Sequence, residues 1–195
     1  CGEKGGVHDD GGTTDDASAT DGSATDGNAT DSAPWTGPPL VWRSVQWGTP
    51  SEDGANALAV DELGVTVAGY TMAPDSAGEP EELDLLVTRL SLQGEILWSR
   101  QFGSPSWDQA YAAAADLHGN LFVAGGTMGA LGGQPQAGNG DIFLIKMDQA
   151  GEIAWTRLWG TGEEDMAFAM AIDGDRAIYL TGWTAGSLAG SNAGN

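Results

Sequence analysis

Very few side chains in this chain could carry nucleophilic or metal chemistry. Among 195 residues there is one cysteine, Cys1, and two histidines, His8 and His118. Metal ligation and acyl transfer need histidines beside one another or beside a nucleophile. His8 sits in a polar run, whereas His118 falls in LHGN (117–120), a hairpin-turn sequence. A single cysteine excludes an internal disulfide and a thiolate metal cage. Ser187 in GSLAG (186–190) departs from the G-x-S-x-G elbow, because serine takes the second place and no strand-to-helix turn follows. The aspartate-rich stretch 7–34 lacks the D-x-[DN]-x-[DN]-G-x5-E spacing with which a calcium loop gathers its oxygens. The chain therefore offers no catalytic residue, no metal ligand set and no cofactor site of its own.

Aspartates are plentiful, and their pattern is informative. Asp53, Asp108 and Asp165 recur at one position of a repeated unit, and Asp61, Asp116 and Asp173 at another. One active site needs one constellation, so a residue present in every copy points to a structural task, such as accepting backbone N–H bonds at strand ends and turns. Positions that differ between copies are better ligand candidates. Trp107 stands where the other copies have Glu52 and Glu164, and Tyr70, Gly126 and Trp183 form a series that varies just after the glycine of its strand. Trp107, Tyr70 and Trp183 are therefore the expected ligand-binding residues, with aromatic faces suited to sugars or a partner protein. Packing between neighbouring units is the competing role for the same rings.

The repeat behind this comparison runs from Trp42 onward. Trp42, Trp98 and Trp155 are 56 and 57 residues apart in the words VWRSVQWG, LWSRQFG and AWTRLWG. TVAGYT (66–71), FVAGGT (122–127) and YLTGWT (179–184) keep the same register, as do DLLVTRL (84–90) and DIFLIKM (141–147). Such a period implies stacked copies of one supersecondary unit, each too small to bury its apolar face alone. In the middle copy four short apolar runs, at 110–116, 121–127, 141–147 and 152–159, are separated by Gly, Asn and Asp turn residues. No stretch keeps a period of 3.6 residues, and the alanines at 112–115 are too few for an independent helix. The expectation is an all-β chain of four-stranded antiparallel blades, a partial β-propeller in which rotation about an axis shields the sheet edges. The tryptophans and the pairs Trp47-Gly48, Phe102-Gly103 and Trp159-Gly160 are expected to pack between blades.

In the middle copy, Gly103 to Trp155 follows G-x4-D-x-A-x-A-x3-D-x2-GN-hydrophobic-x-V-x-G-x-T and then G-x-x-D-x-F-hydrophobic-x-K-x-D-x2-G-x3-W. This pattern resembles the bacterial beta-propeller repeat family called SBBP, over roughly residues 40–195. The first copy reads DELGV (61–65) in place of D-x2-GN, and the third reads DGDRA (173–177). The D-x2-G-x3-W element at Asp148, Gly151 and Trp155 is also similar to the docking motif of pyrroloquinoline-quinone propellers. That resemblance implies a quinoprotein-like enzyme as an alternative, although the motif is structural in its family and no calcium-and-quinone constellation accompanies it here. The favoured expectation is a non-catalytic binding or scaffold module for protein or polysaccharide.

The strand VWRSVQW (41–47) matches the last strand of a unit, an arrangement expected where a propeller closes through its N-terminus. At the other end SNAGN (191–195) matches QAGNG (136–140), so the repeat stops within a unit and a longer parent is expected. Unpaired strands at both ends would favour self-association of the isolated chain.

Residues 1–39 are a separate segment: the repeats ATDGS and ATDGN and the near absence of apolar residues predict a disordered acidic tether spanning roughly 35 Å. Cys1-Gly2 ahead of a polar spacer resembles a bacterial lipoprotein, which implies acylation of Cys1, membrane attachment through the acyl chains and an outer-membrane address in the cell envelope. A net charge of −21 with only seven basic residues argues against nucleic-acid partners, which need Lys and Arg clusters.

Overall fold

The computed structural model describes residues 7–8, 44–74, 83–174, 177–188 and 190. Cys1, Trp42 and most of the expected tether lie outside the described residues. Chain contacts divide the protein into two compact units, Cys1–Trp47 and Gly48–Asn195. In the first, β1 (Val7–His8) pairs antiparallel with β2 (Ser44–Val45), so the described part of the 41–47 run pairs with a strand from the acidic segment.

The second unit is all-β among the described residues. Three antiparallel sheets follow one another along the chain. The first contains β3 (Asp53–Asp61), β4 (Gly64–Thr71), β5 (Asp84–Leu90) and β6 (Ile96–Phe102), in that spatial order. The second contains β7 (Asp108–Ala115), β8 (Leu121–Thr127), β9 (Asp141–Met147) and β10 (Ile153–Trp159), again in sequence order. The third is the pair β11 (Asp165–Ile172) and β12 (Ile178–Thr184). None of the sheets closes on itself.

The hairpin turns follow from their side chains. Asp116 Oδ1 accepts the backbone N–H groups of His118 and Asn120, both at 2.9 Å, while Gly119 takes the positive φ of 75° that closes the turn. Asp61 serves the shorter DELG turn in the same way, accepting from Leu63 N and Gly64 N. Departure from the D-x2-GN word therefore shortens the loop and leaves the hairpin intact.

The sheets stack face to face, and the alternation of side chains along β8 shows how. Leu121 and Val123 point into one apolar core with Ala68, Leu85, Val87, Ala110, Phe143 and Ile145. Their neighbours Phe122 and Ala124 point the other way, into a second core with Leu144 and Ala167. Every residue of β8 is buried, because sheets cover both faces of the middle one. Contact between sheets is made chiefly by the first strands: β7 lies against β3 on one side and β11 on the other. Two backbone hydrogen bonds pin this arrangement, from Asp108 N to Leu83 O (2.7 Å) and from Asp165 N to Gly140 O (2.9 Å).

Each first strand carries a β-bulge at the same place, between Ala55 and Ala57, Ala110 and Ala112, and Ala167 and Ala169. A bulge puts one extra residue on its strand and re-aims that side chain. The three extra residues are Asn56, Tyr111 and Phe168. Asn56 uses its freedom to donate from Nδ2 to Ala110 O at 2.9 Å, bridging the first sheet to the second.

Candidate functional site: an aromatic ridge on the first strands

The repeated aspartates at the strand starts are committed to the backbone. Asp53 Oδ1 accepts from Thr49 Oγ1 (2.9 Å), Asp108 Oδ2 from Ser104 Oγ (2.8 Å) and Asp165 Oδ2 from Thr161 Oγ1 (2.9 Å). Each also accepts the backbone N–H of that same residue, four positions earlier. Burial pushes the Asp108 carboxyl above the usual carboxylate range, with the nearby Asp84 charge adding to the effect; hydrogen bonds from Ser104 and Thr127 oppose it. The recurring aromatic-Gly pairs owe their glycine to carboxylates at the starts of first and third strands. A Cβ at residue 103 would come within 2.1 Å of Asp84 Oδ1 and 2.9 Å of Asp108 Oδ2. At residues 48 and 160 it would meet Asp53 Oδ2 and Asp141 Oδ1, at 2.6 and 2.0 Å.

Of the recurring tryptophans, Trp98 docks on the following sheet. Its indole Nε1 donates to Gln149 O at 2.8 Å, and its ring lies on Gly151 in the β9–β10 turn of the next sheet. Asp148 shapes that turn by accepting from Ala150 N and Glu152 N, and Gly151 adopts φ 81°. Asp148 and Gly151 of the D-x2-G-x3-W word thus build a turn on which Trp98 of the preceding sheet docks.

Aromatic groups of a different kind gather where the first strands run side by side. Trp107 precedes β7, and its ring covers Gly126, where a Cβ would lie 3.3 Å from Trp107 Cζ3 and 3.3 Å from Met166 Cγ. The Trp107 and Tyr111 ring centroids are 6.4 Å apart, and those of Tyr111 and Phe168 are 5.3 Å apart at 74°, edge to face. These rings bridge the second and third sheets. Tyr70, at the end of β4, lies across Gly54, where a Cβ would sit 2.1 Å from Tyr70 Cε1. The glycines at 54 and 126 thus leave room for one aromatic per sheet, supplied from the second strand in one case and from just before the first strand in the other.

Polar groups border the rings. The Tyr70 hydroxyl donates to Glu52 Oε1 at 3.0 Å, and the Tyr111 hydroxyl donates to Gln109 Oε1 at 2.8 Å. The bond to Glu52, reinforced by the Glu52 charge, holds the Tyr70 phenol above its ordinary pKa. Burial raises the Tyr111 phenol, and the charge of Glu164 adds to it. Glu52 and Glu164 thus lie close enough to the two phenols for their charges to be felt there.

Of the three ligand residues expected from sequence, Trp107 belongs to the ridge and Tyr70 adjoins it. Trp183 lies opposite Met166 in the β11–β12 pair and is 41% exposed; the ring contacts among the described residues do not include it. Sequence reasoning missed Tyr111 and Phe168. The signal was available: Asn56, Tyr111 and Phe168 are the variable centres of the words ANA, AYA and AFA, set between alanines in every copy.

No family model and no curated protein matches this chain. One similar solved structure is a protein of unknown function from Bacteroides caccae, 13% identical, aligned over 71% of this chain and 42% of that one with a TM-score of 0.42. This chain therefore spans less than half the length of that protein.

Proposed function

We propose that the stacked sheets are successive blades of a propeller of the SBBP type, and that the chain is a non-catalytic binding or scaffold module for a protein or polysaccharide. Propeller geometry is supported by the way the first strands β3, β7 and β11 lie side by side while the stacking is continued by the strands that follow them. The non-catalytic reading is supported by the carboxylates, since the aspartates repeated in each copy are engaged in turns and strand starts. The observation that carries the binding reading is the ridge of Trp107, Tyr111 and Phe168 with Tyr70, Glu52 and Gln109 beside it. Flat apolar faces bordered by hydrogen-bonding groups are what sugars and peptide side chains both use.

The test is affinity electrophoresis through gels containing soluble polysaccharides, together with peptide titrations followed by tryptophan fluorescence. Trp107→Ala and Tyr111→Ala are expected to abolish retention or quenching while the far-UV spectrum stays that of the parent. Binding that survives both substitutions would remove the ridge as the site.

A further inference from the structure

We infer that the ridge takes a positively charged peptide segment, whose Lys or Arg side chains lie on Trp107 and Tyr111 between Glu52 and Glu164. This rests on the binding reading above and narrows it to one class of partner.

The argument is charge complementarity. The described cations are Arg89, Lys146, Arg100 and Arg157, and all four lie on third and fourth strands: β5, β9, β6 and β10. None lies on a first or second strand among the described residues. The ridge edge instead carries Glu52 and Glu164, backed by the buried Asp108 and Asp165 and the half-buried Asp53 that open the first strands. In a chain of net charge −21, this edge carries no cation among the described residues.

The rings divide in the same way. Arg100 sits 5.7 Å from the Trp98 centroid, Arg157 5.6 Å from Trp155 and Lys146 5.7 Å from Phe122. On the fourth strands, then, the faces of Trp98 and Trp155 are covered by the protein's own cations, while buried Phe122 on β8 has Lys146 of the neighbouring β9 beside it. Among the described residues, the rings of Trp107, Tyr111 and Phe168 contact one another and no other ring, and no cation covers them. Phe168, 46% exposed, forms the far end of the ridge. An aromatic face next to a carboxylate attracts a guanidinium or ammonium group more strongly than either feature does alone, because ring quadrupole and charge act in the same direction. A neutral sugar would use the rings and leave the electrostatic term unused.

The probe is an end-blocked octapeptide alternating glycine with lysine or arginine, titrated into the full chain by calorimetry. Its Gly/Gln counterpart and a neutral gluco-oligosaccharide are run in parallel. Trp107→Leu removes the ring without changing charge, and the double variant Glu52→Gln/Glu164→Gln removes two charges without removing hydrogen-bond acceptors. Each should weaken peptide binding about tenfold. The control Glu62→Gln/Glu95→Gln makes the same charge change in exposed turns and should leave affinity within about twofold, as expected for screened distant charges. Equal weakening by control and ridge doubles would mean diffuse attraction to an acidic chain and would overturn the inference. Trp107-dependent binding of the oligosaccharide without binding of the peptide would overturn it too, while leaving the broader binding reading standing. Binding of neither would remove both. Should Trp107→Leu fail to fold, the two charge doubles, which alter exposed or half-exposed carboxylates, still decide the outcome.

Discussion

Gly151→Ala tests whether docking of a tryptophan on the next sheet's turn holds consecutive sheets together. Two costs add at this position. At φ 81° an alanine pays for a left-handed backbone, about 1–2 kcal/mol. Its Cβ would also lie 3.0–3.1 Å from Cδ2, Cε2 and Cε3 of Trp98, pressing on the ring face. Moving the ring endangers the 2.8 Å bond from Nε1 to Gln149 O, worth about 1 kcal/mol, and part of the ring's packing. The sum is about 3 kcal/mol. Gly133 supplies the internal control: its φ is 75°, yet a Cβ there meets nothing within 4 Å. Gly133→Ala should therefore cost only the backbone term, about 1–2 kcal/mol. The assay is urea unfolding followed by far-UV circular dichroism, repeated in a Trp98→Ala background. With the indole gone, the penalty of Gly151→Ala should fall to that of Gly133→Ala, a coupling of about 1–2 kcal/mol. Equal penalties at residues 133 and 151, or no coupling to Trp98, would refute the docking argument.

Two further expectations concern buried charge. Burial makes folded Asp108 hold its proton more readily than the unfolded chain does, so the native state binds more protons above the ordinary aspartate value of about 4, and stability should fall as pH rises through the window from there to the raised value. Asp108→Asn should flatten this slope in urea midpoints measured across that range, because asparagine still offers Ser104 an acceptor. Arg89, 2% exposed, pairs with Asp61 Oδ1 and donates from Nη1 to Thr66 Oγ1 at 2.8 Å. Arg89→Met leaves the Asp61 carboxylate without its partner and should destabilise by about 3 kcal/mol, whereas the double variant Arg89→Met/Asp61→Asn should recover part of that loss.

Strands with strong local signals were legible before any coordinates. The runs 121–127 and 141–147 coincide with β8 and β9, since β-rich stretches bounded by Gly, Asn and Asp leave little choice of ends. The run at 110–116 instead begins at Asp108, because pairing of Asp108 with Thr127 extends the strand past what alanine propensity suggests. Exposure was not legible. Phe122 and Tyr179 share one repeat position, yet Phe122 is 6% exposed and Tyr179 58%. The difference lies in the neighbours: the middle sheet is covered on both faces, whereas among the described residues the third packs against the second through one face. The ridge was half legible. Comparing copies finds Trp107 and Tyr70, but only the bulge shows that the residue between two alanines turns toward its counterpart in the next sheet.

The double coverage of β7–β10 sets an order in which the molecule should loosen. Backbone amides of β8 are shielded by apolar layers above and below, so their exchange with deuterium requires separation of sheets rather than fraying of one hairpin. Amides of β12, with most side chains at least partly in water, can open two strands at a time. Slow exchange at Val123 and Ala124 beside fast exchange at Thr181 and Gly182 would make the middle sheet the last to let go and the third the first.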